Sequence, residues 1–475
     1  MNQLKFWNTT IIYTIGFLGL RALSFILLPI YTNLLTTQQA GILFIIYTIL
    51  AFCNTIYNRG MDSALLKFFR ELSEKSLIST SILYSGIYGI ILSVILLLFY
   101  YCAYYFEIFQ LHDISSYIGL FLVIILFCDM LSSRCMHIVR LKNKPWYYLI
   151  VSFVNVISSL LLNIYFIIHL NLGLNGAILA LLYVSIIQLA ILLPYIYNKL
   201  SINSFDKNLL IKMKEFSWPF LPAAIFFILI ELSDRWFIGL LSQNTAADVG
   251  LYGTGYKIGS IMLLIIRGFN LSWQPYYLKE SYTRQSIKRF GIIGTDFINL
   301  MVCFSTLIIL IYPILLQNKI FGIYLIGESF WPGLTITPII LLSYIFYGVF
   351  ILQMPSIYLT NKQKWAPVLW GAGFIINCIL NVLLIPSFGF IGAAMSTLIA
   401  YFTMMLFIIY KNYSWMKISY NMTSILKMLF ASSVLYFIYY LSLTHVYSIY
   451  ITLISCFVYI IFTLKYMVSK NNVLL

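Results

Sequence analysis

The chain has 475 residues, 62% of them hydrophobic and 9% charged, against about 25% charged in an ordinary soluble domain. A mean hydropathy of +0.94 excludes a water-soluble globular enzyme, and it excludes disorder, which needs low hydrophobicity. The net charge of +15 suggests nucleic acid at first, but the basic residues sit in short loops between apolar runs, as the positive-inside rule requires, and form no stripe on a polar fold.

A membrane span needs about 20 apolar residues. The runs predict fourteen spans: 10–31, 40–58, 78–104, 115–136, 146–168, 174–197, 217–241, 249–273, 290–313, 334–356, 366–386, 389–410, 425–443 and 446–464. The first is read as a retained helix, because no small-residue cleavage site follows it. The runs are continuous, unlike the alternating segments of about 10 residues in an outer-membrane barrel. With the N-terminus inside, 24 of the 29 Lys and Arg residues fall in cytoplasmic loops, tails or span edges. Lys319 falls outside, and Arg21, Arg235, Lys257 and Arg267 are embedded. An even number of spans puts both termini in the cytoplasm. The longest outer loop, 314–333, is short for a membrane polymerase or glycosyltransferase, and no Walker-type phosphate loop is present. The seven cysteines form no CxxC pair and the four histidines no HxxxH pair, so neither a disulfide nor a metal cofactor is expected.

The chain repeats itself. Gly41 matches Gly250, Tyr47 matches Tyr256, Ser63 matches Ser272, and Arg70-Glu71 matches Lys279-Glu280, all at an offset of 209. Further on, Ser159 and Asn163 resemble Asn377 and Asn381, and Gly173, Gly176 and Ala177 match Gly389, Gly392 and Ala393 at offsets of 216–218. The expected fold is therefore an all-α polytopic membrane protein of 14 transmembrane helices, built as two pseudo-symmetric six-helix halves, 1–200 and 201–410, with two C-terminal helices in 411–475. Halves that start on the same face are related by an axis along the membrane normal, as in transporters with parallel repeats. A cleft between them and alternating access by rocking follow as expectations.

Eight ionisable residues fall inside spans: Arg21, Asp129, Glu231, Asp234, Arg235, Lys257, Arg267 and Asp296. On insertion scales each costs roughly 2.5–3.5 kcal/mol at a helix centre, so they should pair or line a polar interior. By the repeat, Arg267 corresponds to Asn58, one residue from Arg59 at the inner end of span 2. Two arginines thus approach the inner mouth from near-symmetric positions, and guanidinium forks suit a diphosphate. The competing readings are a positive-inside anchor for Arg59, structural ion pairs for Arg21 and Arg267, and snorkelling for Lys257, whose other reading is a later station for the anion. Glu231 and Arg235, four apart in span 7, can pair on one helix face and leave Asp234 to another partner. Asn377 and Asn381 on span 11 and Thr397 on span 12 would complete a hard-cation site with Asp234, or a structural hydrogen-bond contact. Asp129 and Asp296 are read as lying near the cytoplasmic ends of their spans and pairing with nearby Arg or Lys.

Four stretches carry a family likeness. They are Pro29-Ile30-Tyr31-Thr32-Asn33-Leu34-Leu35; Gly60-Met61-Asp62-Ser63 running on to Arg70-Glu71; Ser233-Asp234-Arg235 with Val249-Gly250-Leu251-Tyr252; and Asn377, Asn381 and Ile385-Pro386 leading to Gly389 and Gly392. With the 6+6+2 plan, they resemble the polysaccharide-transport branch of the multidrug/oligosaccharidyl-lipid/polysaccharide exporter superfamily, O-antigen and capsule repeat-unit flippases above all. The resemblance implies an undecaprenyl-diphosphate-linked oligosaccharide as substrate and the bacterial inner membrane as location. It also implies a polysaccharide polymerase and a chain-length regulator as candidate partners. Arginines on helices 1, 2 and 8, here Arg21, Arg59 and Arg267, would bind the diphosphate. In related lipid II flippases a sodium site uses helices 7, 11 and 12; Asn381 stands where those relatives usually carry an acid, which leaves Na+ and H+ as equal alternatives through Asp234 or Glu231. A multidrug/cation antiporter of the same superfamily is the rival reading, and it predicts an acid-dominated cavity, whereas the embedded groups here are four basic and four acidic.

Overall fold

In lipid every backbone N–H and C=O must find its partner inside the protein, and a helix satisfies them all within one segment. The computed structural model follows this rule. It describes residues 25–69, 74–105, 117–142, 144–197, 200–218, 220–279, 282–317, 319–320, 323–360, 362, 364–442 and 448–471. Arg21 and most of the expected first span lie outside the described residues, as do Arg70, Glu71 and Glu280 of the repeat. The chain divides into two units, Met1–Leu232 and Ser233–Leu475.

The first unit carries α1 (Leu28–Leu34), α2 (Thr37–Asn58), α3 (Met61–Phe68), α4 (Glu74–Tyr105), α5 (Ile118–Leu141), α6 (Pro145–Asn163), α7 (Gly173–Tyr197) and α8 (Lys207–Ser217). Thr36 starts α2 with a capping box: its Oγ1 accepts from the Gln39 N–H, and Gln39 Oε1 accepts from the Thr36 N–H, both at 3.2 Å. Arg59 and Gly60 end it in the left-handed region, with φ of 49° and 67°. Beyond Asn163, α6 continues as a π-helical turn to His169. α8 is amphipathic and not a span. Leu209, Leu210 and Met213 pack into a core with Ala64, Leu65, Leu77 and Ile78, while Lys207, Lys212 and Lys214 are exposed.

α9 (Phe220–Leu241) crosses the boundary between the units and holds Glu231, Asp234 and Arg235 in its middle. The second unit continues with α10 (Thr245–Gly259), α11 (Ile261–Lys279), α12 (Arg284–Gln317), α13 (Thr337–Leu352), α14 (Met354–Leu359), α15 (Trp365–Trp415), α16 (Met422–Ser442) and α17 (Ser448–Asn471). A two-residue antiparallel ladder, Lys319–Ile320 with Ile323–Tyr324, lies in the loop between α12 and α13. α16 and α17 pack on α12 through Met428, Leu435, Cys456 and Tyr459 against Val302, Leu307 and Leu310. Leu98, Phe99, Leu161, Leu383 and Phe430 are more than half exposed, which suits side chains whose solvent is lipid.

Among the described residues nine helices are long and apolar enough to cross a membrane, or ten when α10 and α11 count as one span bent by 43°. The expected span 249–273 is thus two helices broken near Ser260. α15 is the converse. Its 51 residues would reach ~76 Å if straight, more than twice the bilayer core, so it holds two expected spans. They meet at Gly389, whose φ of 55° and ψ of −138° only glycine adopts readily. Gly173, its repeat partner, has φ of 52° and opens α7 in the same way. Each is followed three residues later by a glycine against backbone: a Cβ on Gly176 would stand 3.0 Å from the Phe166 carbonyl, and one on Gly392 would stand 2.5 Å from the Leu384 oxygen. At these two glycine pairs the repeat read in the sequence is a repeat of backbone geometry.

Candidate functional site

In the second unit the site is built on one carboxylate. Asp234 is fully buried. Its Oδ1 accepts from Asn377 Nδ2 at 3.2 Å and from Asn381 Nδ2 at 2.8 Å. Its Oδ2 accepts from the Tyr252 and Thr397 hydroxyls, each at 2.5 Å. Asn377 Oδ1 in turn accepts from Ser233 at 3.4 Å and from Asn381 Nδ2 at 3.1 Å. On a straight helix, Asn381 and Thr397 would be ~24 Å apart. Both reach the same carboxylate because the chain turns at Gly389. The helical spacing of Asn377 and Asn381 then puts both amides on the face that meets α9. One acceptor is left over: Asn381 Oδ1 is buried with no hydrogen-bond donor. A carboxylate, two amide oxygens and a hydroxyl make an all-oxygen set of the kind that hard monovalent cations and protons use.

Arg235 is also buried, its guanidinium 4.7 Å from the Tyr256 ring centroid and 5.8 Å from that of Tyr252. Lys257 is half-buried in the last turn of α10, next to Tyr256. The Tyr256 hydroxyl shares a 2.7 Å contact with that of Tyr344. Arg267 lies on α11, beyond the bend, and is half-buried; Asp296 is half-buried on α12. Glu231, buried on α9, belongs to the first unit.

The first unit has a matching anchor. Tyr31 donates to Asn163 Oδ1 at 3.0 Å and shares a 3.0 Å hydroxyl contact with Tyr47. Asn163 is the repeat partner of Asn381, so the second member of each polar pair holds the opening span of its own half.

Arg59 is half-buried at the end of α2. Its Nη1 donates to the Tyr84 hydroxyl at 2.9 Å, and its guanidinium lies 4.2 Å from the Tyr88 centroid and 5.8 Å from that of Trp218. Among the described residues it has no carboxylate partner. Lys214 Nζ sits 4.4 Å from the Tyr84 ring, so two cations gather about one tyrosine.

Sequence reasoning missed three contributors. Tyr252 donates to Asp234, and its signal was the Val249–Tyr252 stretch. Arg134 had been counted at a span edge. It is fully buried, pairs with Asp62, and donates to the Asn58 carbonyl at 2.7 Å and to Ser85 Oγ at 3.3 Å. His137 completes this cluster, 3.4 Å from Asp62 Oδ2. The lone acid in Gly60-Met61-Asp62 was the hint that a buried base existed. The third is the partner of Asp129, where the expected pairing with a nearby Arg or Lys is corrected. Asp129 is the twelfth of the 24 residues of α5, and it accepts from Ser185 at 2.7 Å with no basic partner among the described residues. The nearby Arg134 is unavailable because Asp62 holds it.

Residues 6–279 match the family described as polysaccharide biosynthesis protein. No curated protein matches the chain. Three similar solved structures define the fold. The lipid II flippase MurJ in an inward closed conformation is 15% identical, with 97% of this chain and 99% of that chain covered and a TM-score of 0.68. An inward-facing multidrug resistance MATE family transporter of the MOP superfamily is 11% identical, with 82% and 93% covered and a TM-score of 0.60. The Vibrio cholerae MATE transporter VcmN, in a mutant form, is 17% identical, with 86% and 97% covered and a TM-score of 0.59. The long apolar helices, the family match over residues 6–279 and the shared fold agree: the chain is a multi-pass membrane protein that belongs to the polysaccharide biosynthesis protein family.

Proposed function

We propose that the protein flips an undecaprenyl-diphosphate-linked oligosaccharide from the cytoplasmic to the outer leaflet of the bacterial inner membrane, by alternating access, for O-antigen or capsule assembly. Both termini are cytoplasmic in this reading. The observation that carries it is Arg59, an arginine held by aromatic rings and a phenol at the inner end of a span, with no carboxylate to neutralise it among the described residues. A guanidinium in that setting is positioned for a phosphate oxygen and stays charged at every relevant pH. Arg267 and Arg21 are assigned to the same diphosphate, and Lys257 to its outward passage. An inside-negative potential favours moving the anionic head outward by about 2.3 kcal/mol per charge per 100 mV. An apolar groove of about 1060 Å³ between α16 and α17, lined by Leu426, Phe430, Val434, Ile438, Ile454 and Val458, offers the polyprenyl tail a path. A Na+ or H+ bound at Asp234, Asn377, Asn381 and Thr397 resets the cycle, the unpartnered Asn381 oxygen supplying one ligand.

The test is a deletion strain complemented with Arg59→Ala or Arg267→Ala. Surface polysaccharide is lost while the protein stays in the membrane at wild-type level, and drug susceptibility is unchanged. Full polysaccharide from both variants, or a changed drug profile alone, removes the diphosphate reading in favour of a drug antiporter.

A further inference from the structure

We propose that Asp129 is a proton-binding carboxyl at the middle of α5 in the first unit, a cation-handling position separate from the Asp234 set. Asp129 lies about 16–18 Å along α5 from either end. Charge there is costly unless it is paired. Among the described residues, the groups around it supply no cation. Ser185 Oγ, at the midpoint of α7, donates to Asp129 Oδ1 at 2.7 Å, and the Asn54 side chain of α2 is within hydrogen-bonding reach. On α5 itself, Cys128 is adjacent, while Arg134 and His137 are held by Asp62 of α3. From α2 come Cys53 and Tyr57, the latter bonded to Ser93, and Arg59 is engaged with Tyr84 and Tyr88 of α4. α6 brings Tyr147, bonded to the Ile191 carbonyl, and α7 brings an exposed Tyr183.

A second deficit sits beside this unpaired acid. Asn54 Oδ1 is a buried acceptor with no donor, and so is Asn58 Oδ1 one turn along. The two ends of an amide can exchange places by rotation about the last side-chain bond. A proton taken by the Asp129 carboxylate from hydronium, releasing water, removes the unpaired charge inside the span. The resulting O–H can then donate to the Asn54 amide oxygen. One proton thus corrects both faults, while a metal ion would need ligands that Ser185 and a single amide do not complete. The same layer continues through Asn155 Nδ2, which donates to Gln188 Oε1 at 2.7 Å, and Gln188 stands one turn from Ser185. Loading and unloading Asp129 therefore acts on the hydrogen bonds that join α2, α5 and α7 at one depth. The site serves any proton-driven transport, so it stands apart from the choice of substrate.

The full-length protein in phosphatidylcholine vesicles is treated with dicyclohexylcarbodiimide, which attacks protonated carboxyls in apolar surroundings, and the modified peptides are read by mass spectrometry across pH. Asp129 is expected to be modified, with labelling that falls about tenfold for each pH unit beyond its deprotonation. It should be indifferent to replacing choline chloride by sodium chloride, and it should persist in Asp234→Asn. Infrared difference spectra should show a carboxylic C=O band that Asp129→Asn deletes. No labelling of Asp129 at any pH overturns the proposal, and so does protection by sodium at constant pH. The labelling uses the wild-type chain, so a misfolded variant leaves the decision intact.

Discussion

Asp234→Ala removes the acceptor from four donors. Two have a fallback: Thr397 already leans on the Ala393 carbonyl at 3.3 Å, and Asn381 Nδ2 on Asn377 Oδ1 at 3.1 Å. The Tyr252 hydroxyl and Asn377 Nδ2 are left buried without an acceptor. At about 1–3 kcal/mol for each orphaned group, the loss is roughly 2–6 kcal/mol. Asp234→Asn keeps the shape and one acceptor oxygen, and the two hydroxyls can turn to accept from its new amide. It should lose only the charge-assisted share, about 1–2 kcal/mol. Thermal unfolding of the detergent-purified protein, followed by loss of the monodisperse size-exclusion peak, should rank wild type above Asp234→Asn and Asp234→Asn above Asp234→Ala. Both variants should lose transport, although only the alanine variant is strongly destabilised. A cycle with Asn381→Ala should return a coupling of at least ~1 kcal/mol. An alanine variant that melts with the wild type, or a cycle with no coupling, would refute the claim that this carboxylate ties α9 to α15.

Other outcomes follow from single contacts. Gly392→Ala places a methyl group 2.5 Å from the Leu384 oxygen, so the turn at Gly389 must open; a loss of about 1–3 kcal/mol and reduced transport should show in the same melting and complementation assays, whereas Gly371→Ala, with open space around it, is neutral. Arg134→Ala strands Asp62 and the Asn58 carbonyl and should cost about 3–5 kcal/mol, seen as strongly reduced accumulation in the membrane. For Asp62, burial alone would raise the pKa, but the Arg134 charge and the His137 hydrogen bond outweigh it, and the carboxyl is held below its ordinary 3.8. Its stabilisation is therefore complete above pH 3.8 and is lost as the pH falls through the lowered value; Asp62→Asn should flatten that acid limb of the melting curve. Arg59→Lys keeps the charge but loses the planar stack on Tyr88 and should transport poorly, with normal membrane levels by immunoblot.

What the residues alone determined were properties that stay local in the chain. Apolar length set the spans, and the Lys and Arg bias set the expected orientation. The spacing of Gly173 and Gly389 marked the repeat, because a left-handed backbone at a span junction favours glycine. Asn377 and Asn381 could be placed on one face because helical spacing is periodic. Partnership across the sequence was decided only by packing. Asp234 meets Asn381 and Thr397 at separations of 147 and 163 residues, and Tyr252 completes the set from the next helix. Arg134 reads as a span-edge charge in the sequence, and only packing sets Asp62, 72 residues earlier, against it. That pairing in turn deprived Asp129 of its expected partner. A buried charge is satisfied by whichever donor the helix packing brings within hydrogen-bond distance, and the linear chain carries no record of that distance.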